Sequence, residues 1–293
     1  MRLAEPVDQA TGLRRLFTPE PAFRALGVLG ADPRASARAC VALARGLGRR
    51  GERVMVLDEA GPPHHVGGLL GILTRHTLAD AGRLGLVDIA QPAGDGIVLL
   101  SAPDGLRNLA ALSEAVLRDL ADDWRARAEA PEWLLVNGGR GGRETSLAAT
   151  ADERVLVLSG AKSRLAEAYA AMKAAHAFRP GHVWWVLVDG VEDEAAQRLF
   201  ASLGETAERF LGIVPQFLGH LSRERAGQVP SPLDGGRMER LAGEPASRPG
   251  EARVDFEQYW QRMWLHSRMA TESPGKETAT KRVQNVRWSS GQR

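Results

Sequence analysis

The chain has 293 residues, a net charge of +2, 44% hydrophobic and 25% charged residues, which is the make-up of an ordinary soluble globular protein able to bury a substantial core. The near-neutral charge gives no electrostatic case for a nucleic-acid partner or an acidic substrate, and the single Cys40 excludes an internal disulfide and any multi-cysteine metal cluster. Residues 1–20 hold charges and a proline instead of an apolar signal core, and the longest apolar run is Val183 to Val188, far short of a span, so a cytoplasmic protein is expected.

Residues 7–17 come first. Asp8 can cap a short helix that places Leu13, Leu16 and Phe17 at i, i+3 and i+4 on one face, while Gly12 weakens it by about 1 kcal/mol. So short a segment needs a partner surface, either its own domain or another protein. Phe23 to Leu29 is an apolar strand leading into the loop Gly30-Ala31-Asp32-Pro33-Arg34-Ala35, and Ser36 to Arg50 reads as a helix with Cys40, Val41, Leu43, Ala44 and Leu47 on one side. The second strand, Arg53 to Leu57, ends in Asp58.

This strand–loop–helix–strand order has the outline of a nucleotide-binding unit without its chemistry. A phosphate loop uses glycines to aim successive N–H groups inward, a lysine for the outer phosphates and a hydroxyl for magnesium. Here Pro33 has no N–H, Asp32 brings a negative charge, and Ala35 does not take positive φ readily. Two like charges about 4 Å apart repel by roughly 4 kcal/mol at an effective dielectric near 20, so an Asp32 that faces the loop works against phosphate.

Further along, Gly61 to His65 is a loop whose neighbouring His64 and His65 diverge and lack a third ligand. A short strand is expected at Leu86 to Ala90, a strand at Ile97 to Ser101, and one amphipathic helix over Asn108 to Arg127 through Leu109, Leu112, Val116, Leu117 and Leu120. Trp133 to Asn137 is a buried-type strand followed by the glycine-rich stretch Gly138 to Arg143, which lacks a lysine and reads as a surface loop. Arg154 to Leu158 and Val183 to Val188 are strands, the latter ending at Asp189. Ser163 to Phe178 and Glu192 to Phe210 are helices, and a last strand is expected at Gly212 to Leu218, with His220 as a structural residue at a strand end.

The stretch Gln228 to Glu251, rich in Pro, Gly, Ser and charge, reads as a linker. A separate helix over Val254 to Met269 gathers Phe256, Tyr259, Trp260, Met263 and Trp264, and such a face suits a bilayer interface or the protein's own domain equally. Residues 271–293, with five Lys or Arg and no apolar periodicity, are expected to be disordered.

Val54 to Asp58 and then Val66-Gly67-Gly68-Leu69-Leu70-Gly71 resemble the MinD/ParA group of P-loop ATPases, most closely its FlhG/FleN members, which regulate flagellar number. The resemblance implies a doubly wound α/β domain with a mostly parallel sheet and helices on both faces. Its expected limits are a 1–20 activator segment, a 21–228 domain, a 229–252 linker, a 253–270 amphipathic helix and a 271–293 tail. Where such proteins read KGGVGKT, this chain has Ala31 to Ala37, so Ala31 and Ser36 stand for the two lysines, Ala37 for the hydroxyl and Asp32 for a glycine. Asn137 stands for a magnesium-supporting aspartate, Asp189 for an adenine-reading asparagine, and Asp58-Glu59-Ala60 for DAD. The site formed by Gly30, Asp32, Ser36, Ala37, Asp58, Asn137 and Asp189 is therefore expected to be vestigial, with no cofactor or metal and no ATP hydrolysis. Asp8-Gln9-Ala10-x-x-Leu13-Arg14 resembles the DQAxxLR element with which FlhG proteins stimulate the GTPase FlhF. By that likeness Gln9 assists the partner's hydrolysis, Leu13, Leu16 and Phe17 anchor, Asp8 and Ala10 complete the contact and Arg14 is a rim charge. The C-terminal helix resembles in position the membrane-targeting helix of these proteins. The expected partner is an FlhF-type GTPase, or alternatively a flagellar transcription factor, with the protein a monomer or a nucleotide-independent dimer.

Overall fold

The computed structural model describes residues 23–138, 146–160, 164–178, 183–223, 228–243 and 255–272. The expected segment 1–20, residues 139–143 of the glycine-rich stretch and residues 273–293 of the tail expected over 271–293 lie outside the described residues, whereas Thr271 and Glu272 of that tail are helical, continuing the last turn of the C-terminal helix.

Eight strands form one sheet: β1 (Arg24–Gly30), β2 (Val54–Asp58), β3 (Gln91–Pro92), β4 (Ile97–Ser101), β5 (Trp133–Asn137), β6 (Glu153–Ser159), β7 (Val183–Asp189) and β8 (Gln216–Leu221). Their order is β3-β4-β2-β5-β1-β6-β7-β8, and every pairing is parallel except the β3–β4 edge. The near-continuous apolar runs of β1, β2, β5 and β7 follow from burial on both faces, which the helical crossovers of a parallel sheet impose. On one face lie α1 (Pro33–Gly48) and, later in the chain, a helix over Gly235–Gly243. On the other lie the helices that follow β4, β6 and β7 and the C-terminal helix. The doubly wound architecture is as the sequence predicts.

Several elements depart from the sequence expectation, each for a local reason. After the short helices α2 (Val66–Leu69) and α3 (Ala81–Leu84), Leu86–Ile89 is not a strand but a helical turn, α4, in which Leu86 and Ile89 are buried at i and i+3. The helix expected over Asn108 to Arg127 is two helices, α5 (Gly105–Ala110) and α6 (Glu114–Arg127). Ser113 caps α6 by accepting from Val116 N at 3.3 Å, and the break leaves the Leu112 carbonyl to accept from Trp264 Nε1 at 2.9 Å. After α7 (Leu165–Phe178) and α8 (Asp193–Leu211), Gly212 takes φ 65° as the left-handed cap of α8 and so cannot begin the last strand, which starts at Gln216. The stretch predicted as a linker contains α9 (Gly235–Gly243), whose Met238 and Leu241 are buried against the sheet face that carries α1.

The C-terminal helix, α10 (Phe256–Glu272), settles the choice the sequence left open. Phe256, Tyr259, Trp260, Met263 and Trp264 are all buried in the core shared with α5, α6 and the sheet, and they are not a bilayer-facing surface. Phe23, Trp124 and Trp260 ring Phe256 with centroids 5.7, 5.9 and 5.9 Å away. Tyr259 hydroxyl meets Thr150 Oγ1 at 2.9 Å, and Arg262 pairs with Asp152 at 2.6 Å. Turning this face to a membrane requires stripping those aromatics from the core, at about 1.5–3 kcal/mol or more for each large side chain. Among the described residues no helix is long and apolar enough to cross a membrane.

Candidate functional site

The C-terminal ends of the parallel strands bring Gly30, Asp58, Asn137 and Asp189 to one edge of the sheet, the edge at which open α/β sheets bind ligands. Asp58 and Asn137 are register partners on β2 and β5, although 79 residues separate them. Asp58 is 2% exposed and both of its carboxylate oxygens are hydrogen-bonded inside the protein. Oδ1 accepts from Asn137 Nδ2 at 2.8 Å and from Ala60 N at 3.1 Å, and Oδ2 accepts from Val66 N at 2.6 Å. Burial pushes its pKa up from the usual carboxylate value, and these three donors oppose that rise.

The loop after β1 is only Ala31 and Asp32, because α1 already begins at Pro33. Asp32 is the helix cap: its Oδ1 accepts from Arg34 N at 3.0 Å and its carbonyl from Ser36 N at 3.0 Å. The carboxylate thus occupies the positive end of the helix, where a phosphate would otherwise be drawn. Gly30 is needed for a close approach, since a Cβ there would lie 2.5 Å from Ser36 Oγ. Ser36 is 1% exposed, and its Oγ and Asn137 Oδ1 are buried without a hydrogen-bond partner. Ala37 is buried in the core and offers no donor.

Two arginines that the sequence reading did not single out complete the site. Arg38, 6% exposed within an otherwise apolar turn of α1, donates Nε to Asp189 Oδ1 at 2.9 Å and Nη2 to the Ser222 carbonyl at 3.1 Å. Arg164 donates to the Ala31 carbonyl at 3.1 Å, lying across the shortened loop. An isolated arginine on the buried face of a predicted helix was the available clue to the first. Glu59 was also missed as a positioned group. Its two oxygens accept from Ser146 Oγ at 2.5 Å and Leu147 N at 3.1 Å, and burial pushes its pKa up to about 7 against those bonds. His64 is exposed and His65 partly buried, and no cluster of three metal-ligating side chains occurs among the described residues. His220 lies within β8 and faces Asp193 at 3.2 Å. The predicted partner-binding residues Asp8, Gln9, Ala10, Leu13, Arg14, Leu16 and Phe17 lie outside the described residues.

No family model matches the chain. It is 28% identical over 184 residues to the antiactivator FleN of Pseudomonas aeruginosa, a match covering 61% of this chain and 66% of that protein, a little under two thirds of its length. Its fold is similar to the MinC:MinD cell division protein complex of Aquifex aeolicus, with a TM-score of 0.53, 15% identity and coverage of 79% of this chain and 100% of that one. A ParA family ATPase from Chlorobium tepidum TLS is similar at a TM-score of 0.50, 14% identity and coverage of 84% and 98%. The chain therefore has the fold of the MinD and ParA proteins, and over 61% of its length it is similar in sequence to FleN.

The group that this fold implies is a magnesium nucleotide, and the residues present do not fit it. A two-residue loop capped by its own carboxylate presents no row of inward N–H groups. Three of the acceptor positions of Asp58 are taken by Asn137 Nδ2, Ala60 N and Val66 N. The carboxylate that ends β7, Asp189, is held by Arg38 instead of presenting an amide to a base. What remains is two polar joints, Asp58 with Asn137 tying β2 to β5 and Arg38 with Asp189 tying α1 to β7.

Proposed function

We propose that this FlhG/FleN-like protein regulates flagellar number or placement without hydrolysing ATP, its α/β body serving as a scaffold and its N-terminal segment acting on an FlhF-type GTPase. The observation that carries the reading is the internal engagement of Asp58 by Asn137, Val66 and Ala60, since phosphoryl transfer depends on charge compensation and positioning that this joint has given over to structure. Gln9 is the group that assists the partner's hydrolysis, with Leu13, Leu16 and Phe17 as its anchors. The body works as a monomer or a nucleotide-independent dimer in the cytoplasm. A bilayer contact through α10 is not part of this reading, because its aromatic face supports the core.

Two measurements test it. Millimolar Mg-ATP should leave the melting temperature unchanged, whereas a ligand at a hundred times its Kd adds about 2.7 kcal/mol. A magnesium-dependent shift of several degrees refutes the scaffold reading. The full chain should stimulate a purified FlhF-type GTPase, and Gln9→Ala should lower the stimulated rate far more than the binding, as for a group acting in the transition state. The name of the Pseudomonas aeruginosa relative favours a second reading, an antiactivator that binds a transcription factor through the domain surface. Under that reading a chain lacking residues 1–20 keeps its effect in cells.

A further inference from the structure

The outer side of α10 leaves a groove of about 350 Å³ against the 3-10 turn Leu147–Thr150, lined by Thr150, Gln258, Gln261, Leu265, His266 and Met269. Its apolar walls are the two large hydrophobic residues of α10 that the core does not use. Leu265 is 50% and Met269 59% exposed, and they stand one turn apart at i and i+4. Arg262, the arginine that lines the groove, is already paired with Asp152 at 2.6 Å, and burial holds the His266 imidazole below its usual pKa, so covering the groove with an apolar surface removes no unpaired arginine from water.

We infer that this groove is the docking site, within the same chain, of residues 7–17. The described residues begin at Phe23, whose ring packs on Phe256 at 5.7 Å and Tyr259 at 5.6 Å, so the point to which residues 7–17 are tethered lies beside the first turn of α10. From Tyr259 the groove runs to Met269, about 15 Å along a helix at 1.5 Å per residue. The six residues from Phe17 to Phe23 span up to about 20 Å when extended, enough to lay the Leu13, Leu16 and Phe17 face on Leu265 and Met269. Tethering favours the contact, because a short linker holds a segment at an effective concentration in the millimolar range, at which even a millimolar-affinity groove is about half filled.

The regulatory consequence rests on the proposed role of Gln9. A segment seated on α10 turns its apolar anchors inward and cannot offer them to a GTPase at the same time. The groove then sets the fraction of active segment, in a protein whose nucleotide switch is closed by the Asp58 joint.

Cross-linking in the full chain tests the docking. Phe17→Cys with Met269→Cys, joined by a short bismaleimide, should give an intrachain product at least tenfold faster than Phe17→Cys with Phe210→Cys, Phe210 being an exposed residue of α8. The native Cys40 is fully buried and will not compete. Adding Leu265→Glu, at a half-exposed position outside the core, should reduce the rate to that of the control pair, with circular dichroism checking that the domain stays folded. Equal rates for the two pairs, or a product found only between chains, overturns the docking and assigns the groove to another occupant such as residues 273–293 or a second copy. Leu265→Glu in the otherwise native chain should raise GTPase stimulation at sub-saturating concentration several-fold. Fast intrachain linkage with unchanged stimulation upholds the docking and refutes the activator role.

Discussion

Restoring the family's aspartate at Asn137 is the most direct probe of the closed joint. Asn137 is fully buried and gives a 2.8 Å hydrogen bond to Asp58 Oδ1, so Asn137→Asp sets two carboxylates face to face without water. Left ionised at about 3 Å, they repel by about 5–6 kcal/mol at an effective dielectric near 20. Taking up one proton is cheaper: holding a carboxyl with an ordinary pKa near 3.9 neutral at pH 7 costs about 4 kcal/mol, and the shared proton restores the hydrogen bond. The pair's folded pKa lies above its unfolded value, so the native state binds the extra proton and stability falls as pH rises through that window. Urea denaturation should therefore show a loss of about 4 kcal/mol at pH 7 that shrinks by about 1.4 kcal/mol per unit to about 1.5 kcal/mol at pH 5. Millimolar magnesium should not restore it. A variant as stable as the parent at pH 7, a loss independent of pH, or a rescue by magnesium each refutes the reasoning, and the last makes the site a metal site.

Three further outcomes are expected. Glu59, raised by burial from 4.5 to about 7, makes the native chain lose up to about 3 kcal/mol as pH climbs from 4.5 to 7, and Glu59→Gln should remove that slope in denaturation curves while its amide keeps contact with Ser146 and Leu147. Arg38→Met should cost about 2–4 kcal/mol by stripping the partly buried Asp189 carboxylate of its guanidinium, and adding Asp189→Asn should recover most of that loss if the charge is the cause. Trp260→Ala should cost about 3–5 kcal/mol in the same assay, whereas a bilayer-facing tryptophan would leave stability unchanged.

The sequence by itself determined the sheet and the absence of a phosphate-binding composition. Runs such as Val54 to Asp58 and Val183 to Asp189 are legible because strands buried on both faces need no alternation, and Pro33 and Ser36 lack the required groups whatever the fold. Local pattern failed where two periodicities coincide over few residues. Leu86 and Ile89 fit a strand or a helical turn, and Gly212 fits a helix cap or a strand start until the backbone chooses. Hydrophobic spacing also fixed that Phe256, Trp260 and Trp264 share a face but not what covers it, since a core and a bilayer are both apolar and only the docking of α10 on α5 and α6 decides. The joints themselves are tertiary. Asp58 meets Asn137 because β2 lies beside β5, and Arg38 reaches Asp189 across 151 residues because α1 packs over β7. The strand order that makes these neighbours is set by the packing of the whole sheet, which no single segment encodes.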